Sequence, residues 1–246
     1  MPRVAPAIPA DTDLLCEHCG YTLNGLPPDA RCPECGNFVT DSVNDGRSLS
    51  SLEAQPGGAK IVAFFRTTFD IIVRPTFFFR HLTARNDAPR DVRIFAIIHS
   101  LLSAFLAGIA AYYHWLVITF ASGENFGVDA YAMIGAFTLV AMILIWFTTW
   151  FAARLTAWEA AYRGIRLPIA TVRRCLYFHM AHYLPVTFVA AAIPFVYLTA
   201  ANEGRYDYGT TVTTYLYTLS AVVIVAAIYL FWTYWIGMRN VMYANR

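Results

Sequence analysis

Four long apolar segments constrain this chain more than any other feature of its sequence. They lie at about 94–120, 130–151, 176–198 and 212–236, and none contains Asp, Glu, Lys or Arg in its interior. A helix needs about 20 mostly apolar residues to cross about 30 Å of hydrocarbon. A soluble helix would instead alternate apolar and polar faces at 3.6-residue spacing. The sequence therefore predicts an all-α membrane protein with four transmembrane helices.

The arginines predict the direction of these spans. Six arginines lie between residues 66 and 93, and five lie between the second and third spans, whereas the loop 121–129 has none and the loop 199–211 has one. Basic residues favour the cytoplasmic side of a membrane. The first 15 residues show no secretory signal, since they contain no apolar run of the required length. We therefore expect both termini in the cytoplasm.

The basic composition also hints at the source membrane. Only one of the 18 basic residues is a lysine, Lys60, and alanine is abundant. This bias is typical of a GC-rich bacterial genome. Together with the spans, it predicts an integral protein of a bacterial cytoplasmic membrane.

Residues 59–90 precede the first span and carry a different pattern. Their apolar side chains fall on one stripe at helical spacing, whereas Lys60, Thr67 and Arg74 fall on the other side. The segment is too short and too charged to span a bilayer, and Pro75 divides it in two. It predicts interfacial amphipathic helices that lie among lipid headgroups; the alternative is that they pack beneath the bundle. The stripe consists of Ile61, Phe64, Phe65, Phe69 and Ile72.

Four of the five cysteines form the pattern C-x2-C-x12-C-x2-C, at Cys16, Cys19, Cys32 and Cys35. Two residues between thiolates let one turn present both sulfurs to one ion, and a glycine follows each pair. This spacing predicts a closed, structural zinc site without an open coordination position. Two disulfides or four free thiols are the alternatives, and disulfides are disfavoured in a reducing compartment.

The resulting domain organisation has five parts. We predict a disordered tail at 1–13, a small N-terminal zinc ribbon at 14–40, a flexible linker at 41–58, the interfacial helices at 59–90 and the four-helix transmembrane domain at 91–246. The zinc would fold the ribbon, because about 40 residues cannot hold a core unaided. The loop 21–31 would then contact a cytoplasmic protein partner. A net charge of +2 gives no reason to expect nucleic acid.

Histidines in or near the spans are the remaining candidates for a functional site. His99 and His182 fall at similar predicted depths, so that a bis-His haem or metal site is conceivable. We favour the alternative that these and the neighbouring His114 and His179 hydrogen-bond across helices. No catalytic motif occurs in the sequence, which predicts that the protein is not an enzyme. Pro185 and Pro194 predict kinks in the third span. A kinked span is the one sequence feature that favours a small-solute transporter.

Two parts of the chain resemble known families. The stretch CEHCGYTLNGLPPDARCPECG resembles a zinc ribbon found at the N-terminus of bacterial membrane proteins. Residues 60–246 resemble the Ypt-interacting protein (Yip) domain family in three stretches. These are FRTTFDIIVRPTFFFRHL, which resembles the family's Arg-Pro-x-x-Phe-Phe entry, TAWEAAYRGIRLPIATVRRCLYFHMAHYLPV, which contains the Tyr183, Leu184 and Pro185 that resemble a Tyr-x-Pro motif, and FWTYWIGMRNV.

The resemblance implies a membrane organiser rather than a catalyst. Eukaryotic members of the family act in vesicle traffic with small GTPases. The family commonly has five spans, however, and only four are found here. The leading hypothesis is a non-enzymatic membrane protein whose zinc-ribbon head recruits or senses a partner. A redox or metal protein that uses the histidines and a small-solute transporter are the alternatives, and the sequence predicts no oligomeric state.

Overall fold

The protein is all-α, with four long apolar helices, as the sequence predicts. The computed structural model describes residues 8–10, 12–43, 47–55, 57–83, 87–122, 129–202 and 208–245. Within these ranges, extended pairing is limited to isolated bridges. The helices are α1 Thr40–Val43, α2 Ser51–Ala54, α3 Lys60–Val73, α4 Pro75–His81, α5 Arg90–Ser122, α6 Ala130–Tyr162, α7 Ile169–His179, α8 Tyr183–Asn202 and α9 Tyr208–Val241, with 3₁₀ turns at Gly57–Ala59 and Met180–His182.

Four helical segments are long and apolar enough to cross a membrane. They are Arg90–Thr119, Ala130–Tyr162, Ile169–Ala200 and Val212–Val241, of 30 to 33 residues each. Each extends beyond the span predicted from the absence of charged residues. The extra turns carry arginines such as Arg154, because a helix continues past the hydrocarbon when water or headgroups can solvate its charged end.

The third apolar segment is divided rather than continuous. A 3₁₀ turn at Met180–His182 separates α7 from α8. Pro185 lacks the N–H that would bond the carbonyl of Ala181, and its ring crowds that carbonyl. The tighter turn before the proline accommodates both effects. The second proline, Pro194, lies inside α8.

The chain forms two compact units. One consists of Met1–Phe95, Thr149–His179 and Thr233–Arg246, and the other of Ala96–Thr148 and Met180–Trp232. The first unit therefore contains the cysteine-rich segment, α1 to α4, α7 and one end each of α5, α6 and α9. The second contains the remaining length of the spanning helices.

Aromatic side chains form the core of the first unit. Phe79, Phe95 and Phe178 are fully buried. The ring of Phe178 contacts Phe78 at a centroid distance of 5.2 Å and Phe95 at 5.7 Å. These edge-to-face contacts pack α4 against α7 and α7 against the long helix α5.

Small residues bring α5 and α6 close together in the second unit. Ser100 and Ala104 are fully buried, and a Cβ placed on Gly108 would lie 2.4 Å from Thr138 Oγ1. The Nε1 of Trp146 donates to Ser100 Oγ at 3.2 Å. Small side chains thus allow the two helices to approach closely.

Helix α3 has an inner face and an apolar outer face. Ala63, Thr67 and Ile71 are buried, so Thr67 lies opposite the exposed aromatic side chains, as the helical spacing predicted, and that face is covered. Its Oγ1 accepts the Leu52 N–H at 3.2 Å. Phe64 also turns inward, with its ring 5.0 Å from that of Phe95. The exposed apolar side chains are Ile61, Val62, Phe65, Phe69 and Val73.

The predicted break between the two short helices is confirmed. Arg74 ends α3, and Pro75 occupies the first turn of α4. Parts of two other predicted segments, the tail 1–13 and the linker 41–58, lie outside the described residues. Within the linker, α2 is described, and Leu52 is 4% exposed. Its flexibility stays a prediction.

Candidate metal centre

The two cysteine pairs lie in equivalent turns. The Gly20 N–H donates to the Cys16 carbonyl at 2.8 Å, and the Gly36 N–H donates to the Cys32 carbonyl at 2.9 Å. Both glycines adopt positive φ, 81° and 75°. Only glycine takes this backbone conformation readily. The C-x-x-C-G pattern therefore specifies each turn, which we call the first and second knuckle.

These knuckles bring four sulfurs together. Cys16 Sγ lies 3.5 Å from Cys35 Sγ, Cys19 Sγ lies 3.6 Å from Cys32 Sγ, and all four lie within 4.8 Å of one another. The cysteines are free, and these separations exceed a disulfide bond of about 2.05 Å. Among the described residues, this is the only group of three or more His, Cys, Asp or Glu side chains placed to hold one ion.

The sulfur arrangement fits a tetrahedral ion. Four bonds of about 2.3 Å in a tetrahedron place the sulfurs about 3.8 Å apart, close to the observed contacts. Such a site leaves no coordination position open for a substrate. The described residues therefore fit a membrane protein with a four-cysteine group that could hold a metal ion.

The thiols differ in how readily they lose a proton. Burial raises the pKa of Cys19 to about 12. Burial acts in the same direction on Cys32, but the N–H groups of Cys35 and Glu34 and the neighbouring thiols outweigh it and lower the pKa of Cys32 to about 7. These N–H groups thus favour the thiolate form of Cys32, the form in which a cysteine binds a metal ion.

Very few apolar side chains support this centre. Leu23 and Val39 are each 1% exposed and pack with Cys16 and Cys32. A core of this size cannot offset the conformational entropy of ordering the segment. An ion bonded to four sulfurs would supply the missing stabilisation.

The first knuckle is held by an ion pair that sequence reasoning missed. Arg47 donates from Nε and Nη2 to the two carboxylate oxygens of Glu17 at 2.8 and 2.9 Å. The same guanidinium donates to the carbonyls of Leu82 and Asn240, each at 3.0 Å. Arg47 thus joins the first knuckle to the end of α4 and the end of α9. Because Arg47 lies in a Ser/Gly/Asp-rich segment, its local sequence did not predict these contacts.

The segment after α9 also contacts the first knuckle. Asn245 Nδ2 donates to the Leu15 carbonyl at 2.7 Å, and Asn245 Oδ1 accepts the Leu15 N–H at 2.9 Å. The Tyr243 ring lies over Gly20, where an added Cβ would be 2.4 Å from its Cε1. The residues responsible are more than 220 positions apart in sequence, which is why no local pattern predicted the contact.

The loop 21–31 and the second knuckle present a different surface. Tyr21 is 40% exposed and Phe38 is 41% exposed. The Arg31 guanidinium lies 3.9 Å from the centroid of the Phe38 ring. Exposed aromatic side chains and an arginine stacked on one of them are typical of protein contact surfaces.

Three of the four membrane histidines, His99, His179 and His182, are buried, whereas His114 is partly exposed. His99 and His182 are 1% and 0% exposed, and a hydrogen bond of 2.8 Å joins His182 Nδ1 to the Tyr229 hydroxyl. The metal-binding group described above does not include either of them. A bis-His cofactor site stays a prediction. Similar bonds join His114 to Tyr215 at 2.6 Å and His179 to Thr233 at 2.9 Å.

Comparisons with protein-family models, curated proteins and solved structures found no match to this chain. The resemblance to the Yip family therefore stays a prediction.

Proposed function

We propose that this protein is a non-enzymatic membrane organiser whose cytoplasmic zinc-ribbon head recruits or senses a protein partner. The loop 21–31 and Phe38 form the contact surface. The four spans anchor the protein in the lipid bilayer, and the metal stabilises the fold of the head. A trafficking-like role, as the Yip resemblance implies, belongs to the same proposal.

One observation carries the proposal: the head is folded around four sulfurs but leaves aromatic side chains exposed. Tyr21 and Phe38 are each about two-fifths exposed, and Arg31 stacks on Phe38. Aromatic residues and arginine are enriched at protein contact surfaces relative to the rest of the surface. The closed sulfur set favours a structural rather than a catalytic use of the ion.

Zinc is the ion that we propose. Thiolate ligands in a tetrahedral arrangement suit zinc or iron. Because zinc is neither oxidised nor reduced in proteins, it suits a structural role. Elemental analysis of the purified protein should give one zinc per chain, and a visible charge-transfer band from iron bound by thiolates would contradict the assignment.

The exposed outer face of α3 supports attachment to the membrane surface. Phe65, Phe69 and Phe77 are 57 to 67% exposed. Arg66 and Arg74 lie beside them and are also exposed. Aromatic rings entering the headgroup boundary, with arginines against anionic lipid, would place the head next to the bilayer.

Capture of membrane complexes tests recruitment. The tagged full chain would be compared with a Tyr21→Ser, Phe38→Ser double variant and with Val43→Ser. Val43 is 53% exposed and lies outside the contact surface, which makes it a matched control. We expect a specific partner to be lost only with the double variant. A set of captured proteins that is the same for all three chains would contradict the proposal.

A further inference from the structure

We propose that the first knuckle is a metal-dependent binding site for the chain's own segment 240–245, so that the ion in the head controls attachment of the head to the end of α9. The inference rests on the proposed zinc site and adds a regulation to it. The ligand is a short peptide segment that supplies one amide side chain, one aromatic ring and one backbone carbonyl.

The contacts on the head lie next to metal-binding cysteines. Leu15 precedes Cys16, Glu17 follows it, and Gly20 follows Cys19. Leu15 and Gly20 contact the segment 240–245 directly. Glu17 is joined to it through Arg47, which also bonds the Asn240 carbonyl. The shape that the segment recognises is therefore the shape that the ion imposes on the first cysteine pair.

Asn245 makes the most specific of these contacts. Its side-chain amide donates to the Leu15 carbonyl and accepts the Leu15 N–H, as a neighbouring β-strand would. The same Nδ2 donates to the Ser42 carbonyl at 3.0 Å, and the Asn245 N–H donates to Glu17 Oε1 at 3.2 Å. One residue thus satisfies backbone groups of Leu15 and Ser42 and also bonds the Glu17 carboxylate.

Tyr243 and Arg47 complete the site. The Tyr243 ring occupies the space that a side chain at position 20 would need, so this glycine serves both the knuckle turn and the contact. Arg47 bridges Glu17 and the Asn240 carbonyl with three hydrogen bonds. Its side chain is only 11% exposed, so these bonds are partly shielded from water.

Loss of the ion should release the segment. Without it, the small core of the head cannot hold the knuckle, and the Leu15 and Glu17 groups lose their fixed positions. By linkage, the reverse also holds: a segment that binds only the folded knuckle increases the affinity for the ion. If the contact is linked to the ion, its removal changes the affinity for the ion; a contact that is not linked leaves that affinity unchanged.

Zinc affinity of the purified full chain provides the test. Competition with a chromophoric chelator would compare the unaltered chain with Asn245→Ala, Tyr243→Ala and Tyr217→Ala. Tyr217→Ala is the matched control, because this tyrosine lies on the same helix α9, outside the segment 240–245, and is 75% exposed. We expect the first two variants to bind zinc about 5- to 100-fold more weakly, the usual range of coupling between sites, and the control to bind as the unaltered chain does.

Hydrogen exchange of the same samples gives a second readout. Peptides covering 240–245 should exchange faster after zinc removal, and peptides covering Leu15 should exchange faster in zinc-loaded Asn245→Ala. Unchanged zinc affinity in both variants, or exchange at 240–245 that is insensitive to zinc, would overturn the inference. Partner capture is measured separately, so that metal-dependent attachment without a partner contradicts only the proposed function.

Discussion

Glu53 and Arg174 form a buried two-point ion pair between α2 and α7. Arg174 Nε and Nη2 donate to the two Glu53 carboxylate oxygens at 3.0 and 2.7 Å. The side chains are 3% and 2% exposed. Arg174 also donates to the Thr83 carbonyl and lies 5.8 Å from the centroid of Phe178. The pair therefore ties the segment before α3 to the helix that enters the third span.

Breaking this pair should destabilise the first unit strongly. Glu53→Gln keeps the helix cap, because glutamine can replace glutamate in a capping box with Ser50. It leaves the Arg174 charge buried without its counter-ion, which costs about 3–5 kcal/mol. The free energy of unfolding of the detergent-solubilised protein would measure the loss.

An exposed pair on α6 supplies the control. Glu159 and Arg163 are 52% and 65% exposed and four residues apart. Glu159→Gln should cost about 0–1 kcal/mol, as is usual for surface ion pairs. Equal losses in the two variants would show that the buried pair contributes no more than a surface contact.

The spans and the grouping of the four cysteines could be predicted because each corresponds to a local sequence pattern. The spans follow from runs of apolar residues, and the knuckles follow from C-x-x-C-G. The attachment of the head could not be predicted in this way. Glu17, Arg47 and Asn245 are common surface residues in isolation, and their partners lie 30 to more than 200 positions away. Helical spacing placed Thr67 opposite the apolar stripe of α3, but it could not show that this face is buried.

Removal of one metal ligand should unfold the head and spare the membrane body. Cys32→Ser takes away the thiol with the lowered pKa and leaves three sulfurs, so we expect loss of the bound zinc. Cys175→Ala is the control, because this fifth cysteine is buried outside the four-sulfur group. Elemental analysis would measure zinc, and helix content by circular dichroism would monitor the spans. A Cys32→Ser protein that retains a full equivalent of zinc would contradict the assignment of the ligands.

The close approach of α5 and α6 should make Gly108 intolerant of a side chain. Its added Cβ would lie 2.6 Å from the Ile134 carbonyl, which is part of a helical backbone and cannot move aside easily. Gly108→Ala should therefore lower the melting temperature, at a cost of about 1–3 kcal/mol. A Cβ added to Gly135 on α6 would meet no other atom within 4 Å. Gly135→Ala should therefore be neutral or slightly stabilising. The opposite order of the two melting temperatures would contradict this helix contact.

Reporter fusions should place the loop 121–129 on the periplasmic side of the membrane and both termini in the cytoplasm. The prediction depends on the arginines, which are absent from this loop and frequent before the first span and between the second and third. A fusion at residue 125 should activate a periplasmic reporter, whereas fusions before residue 14 and after residue 245 should activate a cytoplasmic one. The chemistry of the head depends on the same result, because thiolates persist in a reducing compartment and are prone to disulfide formation outside it. A cytoplasmic reporter signal from residue 125 would therefore contradict both the orientation and the proposed zinc-loaded state.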